Sequence, residues 1–181
     1  MTNLTIPLPN REETLAFHRD RWAEVLRDGE LAKLSGRIET NAYGQVVMSP
    51  PPAMIHGSRQ SRIAYLIQQL LSGRTVTECP VITSDGVKGI DVGWYSDQRY
   101  AEVCEQVAGE IAPEICVEVL SPSNTEAEMR IKRQLYFDAG AEECWQCDEQ
   151  GTMTYYTANE PETAKQKSLR CPDFPDKIED K

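Results

Sequence analysis

Two acidic residues, Asp91 and Glu118, lie inside short apolar runs that read as buried strands, over residues 89–94 and 115–120. A carboxylate in such surroundings is costly to desolvate unless a cation or a set of hydrogen-bond donors receives it. Mg²⁺ takes oxygen ligands, commonly one or two carboxylates together with waters and substrate phosphates. Asp91 and Glu118 on adjacent strands, with the backbone carbonyl of Val119 as a third protein ligand, therefore predict a minimal metal site.

A lysine on the helix that follows the second acid is the natural cationic partner. After Glu118 the turn Ser121-Pro122-Ser123 ends the strand, and the next segment predicts a helix of about four turns that ends at Gly140. Either Ser123 with Glu126 or Thr125 with Glu128 makes a capping box. Lys132 on this helix is expected to point back toward the sheet, where a bound metal would activate water and the lysine would hold that water or the phosphate.

The remaining elements follow from hydrophobic spacing and turn residues. Residues 11–27 predict an amphipathic N-terminal helix, residues 36–50 a β-hairpin, and residues 56–71 a helix that ends near Gly73. Further strands are predicted over 75–81, 90–94, 115–120, 143–148 and 152–157. From about residue 159 the chain is polar and lacks periodicity, which predicts a loosely ordered extension.

Composition limits the classes of protein that this chain can belong to. Its 181 residues, 40% of them hydrophobic, suit one domain, which we place at residues 1–158 with a polar extension at 159–181. No long apolar run or signal-peptide pattern occurs, so a soluble cytoplasmic protein is expected. The net charge of −10 argues against nonspecific coating of nucleic acid, although a local basic strip such as Arg130, Lys132 and Arg133 would still allow an active site on DNA.

The six scattered cysteines favour free thiols in a reducing compartment. Cys144-Trp145-Gln146-Cys147 matches CxxC, but a zinc site needs further ligands, and His18 and His56 have no ligand spacing to it. A redox motif would open a helix, whereas residues 143–148 predict a strand. A zinc or redox protein is thus the weakest of the functional alternatives.

Each candidate residue also has a purely structural interpretation. Asp91 could pair with Lys88, Glu118 could form a buried salt bridge, and Lys132 could be a solvated helix charge. His56 is a candidate general base near neutral pH, but its place at a helix start equally suits a capping role. Two aromatic residues, Tyr136 and Trp145, could stack on bases, yet both are expected to pack between helix and sheet.

Taken in order, an acid, an acid in a hydrophobic strand and a lysine on the next helix resemble the PD-(D/E)XK nuclease superfamily. The chain is most similar to the Uma-type restriction endonuclease family over about residues 37–150. The matching positions are Arg37-Ile38-Glu39 with Gly44, residues 48–52, His56, Ile90-Asp91-Val92, residues 118–123, Lys132 with Tyr136, and residues 139–145.

By this resemblance, Asp91 and Glu118 correspond to the metal-binding acids and Glu39 to a further acid near the site. Lys132 corresponds to a helix lysine that replaces the one usually found two residues after the second acid, where this chain has Leu120. The proline that commonly precedes the first acid is Ile90 here, which keeps the carboxylate but not the restraint that proline places on the backbone.

The sequence therefore predicts an α/β or α+β fold with a restriction-endonuclease-like core: a central mixed β-sheet flanked by helices, with an N-terminal helix and a β-hairpin. The expected activity is a Mg²⁺-dependent (or Mn²⁺-dependent) DNA endonuclease that acts as a homodimer. Asp91, Glu118 and Val119 would bind metal, with Lys132 and Glu39 completing the catalytic set. The main rival is a noncatalytic DNA-binding or assembly module on an inherited nuclease fold.

Overall fold

A six-stranded mixed sheet forms the centre of the computed structural model, which describes residues 10–179. Residues 1–9, over which no signal peptide was predicted, and residues 180–181 lie outside the described part. The helices are α1 (Arg11–Arg27), α2 (Met54–Leu70), α3 (Asp97–Val103) and α4 (Glu126–Asp138), with a 3-10 turn at Leu31–Lys33. The strands are β1 (Arg37–Thr40), β2 (Val46–Ser49), β3 (Arg74–Thr83), β4 (Gly86–Tyr95), β5 (Ile115–Val119), β6 (Glu143–Cys147), β7 (Met153–Thr157) and β8 (Glu160–Lys165).

The strands of the main sheet follow chain order, from β3 to β8. All neighbours are antiparallel except β5 and β6, which are parallel and are connected by α4. A parallel pair needs a crossover of this kind, whereas antiparallel pairs can be joined by tight turns. β1 and β2 form a separate hairpin. The predicted fold class is confirmed, and every predicted helix and strand is present within a few residues of its expected ends.

Two apolar clusters cover the two faces of the sheet. One contains Ile63 of α2 together with Trp145, and the other contains Tyr136 of α4 together with Cys144. Cys147 belongs to the first cluster, so the two cysteines of the CxxC match lie on opposite faces of β6. They cannot ligate one metal ion or form a disulfide with each other, and the zinc or redox interpretation is wrong.

The prediction of a loosely ordered C-terminal extension is also wrong for the described residues up to 179. β8 pairs with β7, and Cys171, Phe174 and Ile178 are buried in the same core cluster as Trp145. The Ile178 N–H donates to the carbonyl of Gly151, which adopts φ +82°. Three apolar side chains that lie outside any helix or strand are enough to anchor the tail, because each is buried in the core.

No helix within residues 10–179 is both long and apolar enough to cross a lipid bilayer.

Candidate active site

Asp91 and Glu118 approach each other where the pairing of β4 with β5 ends. The last antiparallel pair is Val92 with Val117, which places Asp91 and Glu118 opposite each other one residue further on. The Val119 N–H donates to Asp91 Oδ2 over 2.7 Å and fixes this relation. Both side chains are buried, with 1% of Asp91 and 9% of Glu118 exposed. The two predicted acids therefore share one site.

Helix α4 supplies two partners to Glu118. Of the two capping boxes that the sequence allowed, the helix uses Thr125 with Glu128, and it ends before Gly140 at φ +106°. Because Lys132 and Tyr136 are one turn apart, they lie on the same face of α4. The Tyr136 hydroxyl donates to Glu118 Oε1 at 2.5 Å, and Lys132 Nζ lies 3.3 Å from Oε2.

The β1–β2 hairpin brings a second pair of side chains to the site. Arg37 and Glu39 are two residues apart in β1 and therefore face the same way. Gly89 binds both: its N–H donates to Glu39 Oε1 at 3.0 Å, and its carbonyl accepts from Arg37 Nη1 at 3.2 Å. A Cβ at Gly89 would lie 3.3 Å from the Arg37 side chain. The glycine thus allows the hairpin to approach β4 closely, and Glu39 comes within 3.7 Å of the Lys132 ammonium.

Asp91 is surrounded by groups that hold its position. Arg37 donates from Nη2 to Asp91 Oδ1, and His56 Nε2 lies 3.3 Å from the same oxygen without the alignment of a hydrogen bond. Gln60 of α2 donates to the Asp91 carbonyl over 2.7 Å. These contacts restrain the side chain and the carbonyl of Asp91, although position 90 is isoleucine and not proline. His56 does not cap α2, since the N-cap residue is Ala53.

Glu78 completes the surroundings of Asp91 from β3. It is the one non-glycine residue of the described chain with positive φ, at +50°. β3 and β4 pair regularly on either side of Glu78, but Glu78 and Asp91, which face each other, do not form a pair in the ladder. Its carboxylate binds Arg37 in a bidentate manner, with both N–O distances at 2.8 Å, and accepts from Gln60 at 2.9 Å. An unfavourable backbone conformation beside a buried acid is typical of functional sites.

The electrostatic environment drives the pKa values of the two acids apart. Burial alone raises the pKa of Asp91, but His56 and the Arg37 charge outweigh it and hold the value below the ordinary one. For Glu118, burial dominates and the Asp91 charge adds to it, so its pKa is raised despite Lys132. Burial lowers the pKa of Lys132, but Glu118 and Glu39 outweigh that effect and raise it. Lys132 is therefore held in the ammonium form.

The donor set fits a small hard cation with few protein ligands. Within residues 10–179 no group of three or more Asp, Glu, His or Cys side chains forms a ready-made metal cage. Mg²⁺ does not require one, because it keeps several waters and commonly binds through one or two carboxylates. The Val119 N–H points toward Asp91, and in an extended strand the carbonyl of the same residue points to the same side. Asp91, Glu118 and the Val119 carbonyl are thus compatible with such a site.

Charge provides a second measure of fit. Four carboxylates meet two fixed cations in this cluster, so full ionisation leaves two excess negative charges when His56 is neutral. One divalent cation would neutralise that excess. The members are Asp91, Glu118, Glu39, Glu78, Arg37 and Lys132.

The sequence-predicted residues Asp91, Glu118, Lys132 and Glu39 all meet at this site, with Val119 beside them. The suggested basic strip does not exist: Arg133 is 3% exposed, and Arg130 pairs with Glu162 at 3.0 Å on the surface. Of the structural alternatives, the pairing of Asp91 with Lys88 is wrong, since Lys88 binds Asp85 and the Thr40 carbonyl. The buried salt bridge at Glu118 is present, with Lys132 as its partner.

Sequence reasoning missed the roles of Arg37, Gln60 and Glu78. Arg37 was visible as a matching family position, but nothing in the local pattern shows that it reaches Asp91. Glu78 and Gln60 carry no sequence signal, because their roles depend on an irregular strand and on the packing of α2. Tyr136 and Trp145 were both assigned to the core, and both are buried. Tyr136 has the additional role of donating to Glu118.

Comparison with known proteins matches the chain to a family model and to a solved structure. The family model Uma2, described as "Putative restriction endonuclease", matches residues 22–179. No curated protein matches the chain significantly. Among solved structures, the chain is similar to a "putative nuclease belonging to DUF820" from Anabaena variabilis ATCC 29413, with 20% identity over 75% of this chain and 80% of that chain and a TM-score of 0.59. Similarity at this level of identity concerns the fold.

Proposed function

Because this chain belongs to the Uma2 family, we propose that it is a metal-dependent endonuclease that hydrolyses phosphodiester bonds in DNA. The observation that carries the proposal is the convergence of Asp91, Glu118 and Lys132 from three separate elements. Two buried acids joined across neighbouring strands, with a charged lysine in contact with one of them, are suited to phosphoryl chemistry.

In this proposal Asp91, Glu118 and the Val119 carbonyl hold Mg²⁺, for which Mn²⁺ can substitute. The support is the oxygen-only donor set and the excess of carboxylates over fixed cations in the cluster, four against two. When bound, the metal supplies a water of lowered pKa and neutralises charge on the phosphate.

The chain's own residues orient the reactants. Lys132 keeps its proton and presents an ammonium, 23% exposed, which can orient the attacking water or stabilise charge on the phosphate. Glu39 lies 3.7 Å from Lys132 and helps to hold it, and it can also contact the water. Tyr136 fixes one oxygen of Glu118, which leaves the other toward Lys132. Each role follows from a contact that these side chains already make.

The proposed substrate is DNA, and a homodimer would allow both strands to be cut. With a net charge of −10, the chain is unsuited to broad contact with the phosphate backbone. Binding would therefore depend on the site itself and on few phosphate contacts, and we expect a weaker salt dependence than that of a basic DNA-binding protein.

One observation favours the rival function, a noncatalytic DNA-binding or assembly module. Arg37 already contacts Asp91, and each carboxylate oxygen of Asp91 and Glu118 has a protein group beside it. A site satisfied by its own protein could be an inherited structural feature. The two functions differ in whether metal addition produces cleavage.

The test is cleavage of supercoiled plasmid with Mg²⁺ or Mn²⁺, followed as nicked and linear products. Asp91→Asn removes the proposed ligand, and Asp20→Asn is the matched control, since Asp20 is 79% exposed. Wild type and Asp20→Asn should cut, whereas Asp91→Asn and chelator-treated protein should not, with circular dichroism confirming that each is folded. Equal metal-dependent cutting by folded Asp91→Asn would contradict the proposal. DNA binding without cutting would support the rival function.

A further inference from the structure

The guanidinium of Arg37 already contacts Asp91, the carboxylate that is proposed to bind the metal. It reaches Oδ1 of a carboxylate that is 1% exposed, and the Asp91 Oδ2 atom is held by the Val119 N–H. A divalent ion that binds Asp91 therefore meets a fixed positive charge in direct contact with its ligand. Like charges at such separation repel by several kcal/mol in a partly buried site, so the two cations compete.

We propose that Arg37 neutralises Asp91 until a divalent cation binds. Arg37 then releases Asp91 Oδ1, and Glu78 keeps the guanidinium at the edge of the site. This inference rests on the proposed function for the identity of the metal site. It goes beyond that function by assigning to Arg37 and Glu78 the control of metal entry.

The contacts of Glu78 can hold Arg37 near the site. Its two oxygens accept from Nε and Nη2 of Arg37, so the guanidinium remains bidentately bound even after its contact with Asp91 is broken. The Glu78 side chain is 49% exposed, which places this anchor at the edge of the buried cluster. The Gly89 carbonyl holds Nη1 as a third fixed point. Arg37 can therefore give up one contact without leaving the site.

The backbone of Glu78 explains why the anchor lies there. In a regular strand, successive side chains point to opposite faces of the sheet. The φ of +50° at Glu78 interrupts this pattern in β3 at the position opposite Asp91. This conformation is unfavourable for a residue with a Cβ, and glutamate has no local compensation of the kind that asparagine has. The bidentate contact with Arg37 and the Gln60 hydrogen bond are the interactions that this irregularity permits.

The inference is tested by direct Mn²⁺ binding, measured by isothermal titration calorimetry without DNA. Arg37→Gln keeps a hydrogen-bonding side chain but removes the charge, and it should bind Mn²⁺ about tenfold more tightly than wild type or better. Mn²⁺ should also raise the melting temperature of Arg37→Gln more than that of wild type, because the metal replaces the lost cation. Arg19→Gln is the matched control: Arg19 pairs with Glu110 away from the site, so its Mn²⁺ affinity should equal that of wild type.

A second variant keeps the test decisive if Arg37→Gln does not fold. Glu78→Gln keeps a hydrogen-bonding side chain of the same length at position 78 but weakens the anchor. Arg37 should then remain on Asp91, and Mn²⁺ affinity should fall severalfold, the opposite direction to Arg37→Gln. Glu162→Gln, which removes a carboxylate from a surface pair, is its control. Unchanged Mn²⁺ affinity in Glu78→Gln, or weaker binding by folded Arg37→Gln, would overturn the inference.

The outcomes separate this inference from the proposed function. If wild type binds Mn²⁺ and Asp91→Asn does not, while Arg37→Gln binds no better than wild type, the metal site stands and the role of Arg37 is wrong. If only Arg37→Gln binds Mn²⁺, the role of Arg37 stands and wild type requires a further step to release it. If no variant binds Mn²⁺, the inference fails, and the plasmid assay alone decides the proposed function.

Discussion

The ion pair between Lys132 and Glu118 should contribute measurable coupling to stability, because it lies in a partly buried cluster. Lys132 Nζ is 3.3 Å from Glu118 Oε2, and the exposed fractions of the two side chains are 23% and 9%. At this distance and an effective dielectric constant of about 20, the gross attraction is about 5 kcal/mol. Desolvation opposes it, and hydrogen bonds to charged groups retain about 1.5–3 kcal/mol net.

A double-mutant cycle with Lys132→Met and Glu118→Gln measures this coupling. Lys132→Met alone leaves Glu118 without its cation, so it should be more destabilising than the same change made in the Glu118→Gln background. The difference should be about 1.5–3 kcal/mol in urea unfolding followed by circular dichroism. The measurement needs neither metal nor DNA and therefore tests the geometry alone.

The surface pair of Arg130 with Glu162 is the matched control. Its separation is shorter, 3.0 Å, but its side chains are 66% and 59% exposed. Exposed pairs usually contribute less than about 1 kcal/mol, so the shorter ion pair should be the weaker one. If Lys132 and Glu118 prove additive within about 0.5 kcal/mol, or couple no more strongly than the surface pair, the reasoning from burial is refuted.

Three further predictions concern other parts of the molecule. Tyr136→Phe preserves the buried ring but removes its hydrogen bond to Glu118, and unfolding in urea should show a loss of about 1.5–3 kcal/mol; a loss below about 0.5 kcal/mol would contradict that contact. Burial lowers the pKa of His18, so below about pH 6.5 the unfolded chain binds a proton that the folded chain does not. Stability should therefore fall as pH falls from 6.5, and His18→Gln should flatten this dependence by up to about 1.4 kcal/mol per pH unit; parallel curves for the two proteins would exclude it. Phe174→Ala should cost about 3–5 kcal/mol because the side chain is fully buried against Trp145, whereas a tail outside the core would tolerate the change.

Hydrophobic spacing was sufficient to predict most of the fold. The segments of α1, α2 and α4 have helical periodicity, and β4, β5 and β6 are short apolar runs bounded by turns. The tail was missed because the residues that anchor it, Cys171, Phe174 and Ile178, form no helix or strand. Their spacing of three and four residues would suit a helix face, but Pro172 and Pro175 interrupt the segment. The burial of the three anchoring residues is determined by the shape of the core they meet, which a local pattern does not contain.

The candidate site was predicted to the extent that its residues lie within regular elements. Asp91 and Glu118 stand out because a charge interrupts an apolar run, and Lys132 follows from the helix that starts after Glu118. Arg37 and Glu78 could not be assigned in this way, since they meet only through the approach of the hairpin and a break in the alternation of β3. The sequence thus predicted that Asp91, Glu118 and Lys132 lie close together, but not which residues hold Asp91.

The way Asp91 is held bears on whether the site acts or is merely inherited. A structural ion pair is most stable when its charges balance, because uncompensated buried charge is strongly destabilising. Here two cations, Arg37 and Lys132, face four carboxylates, and one of these, Glu78, binds Arg37 from an unfavourable backbone conformation. Under the proposed function, the excess of carboxylates over fixed cations is what allows a divalent cation to compete with Arg37 for Asp91.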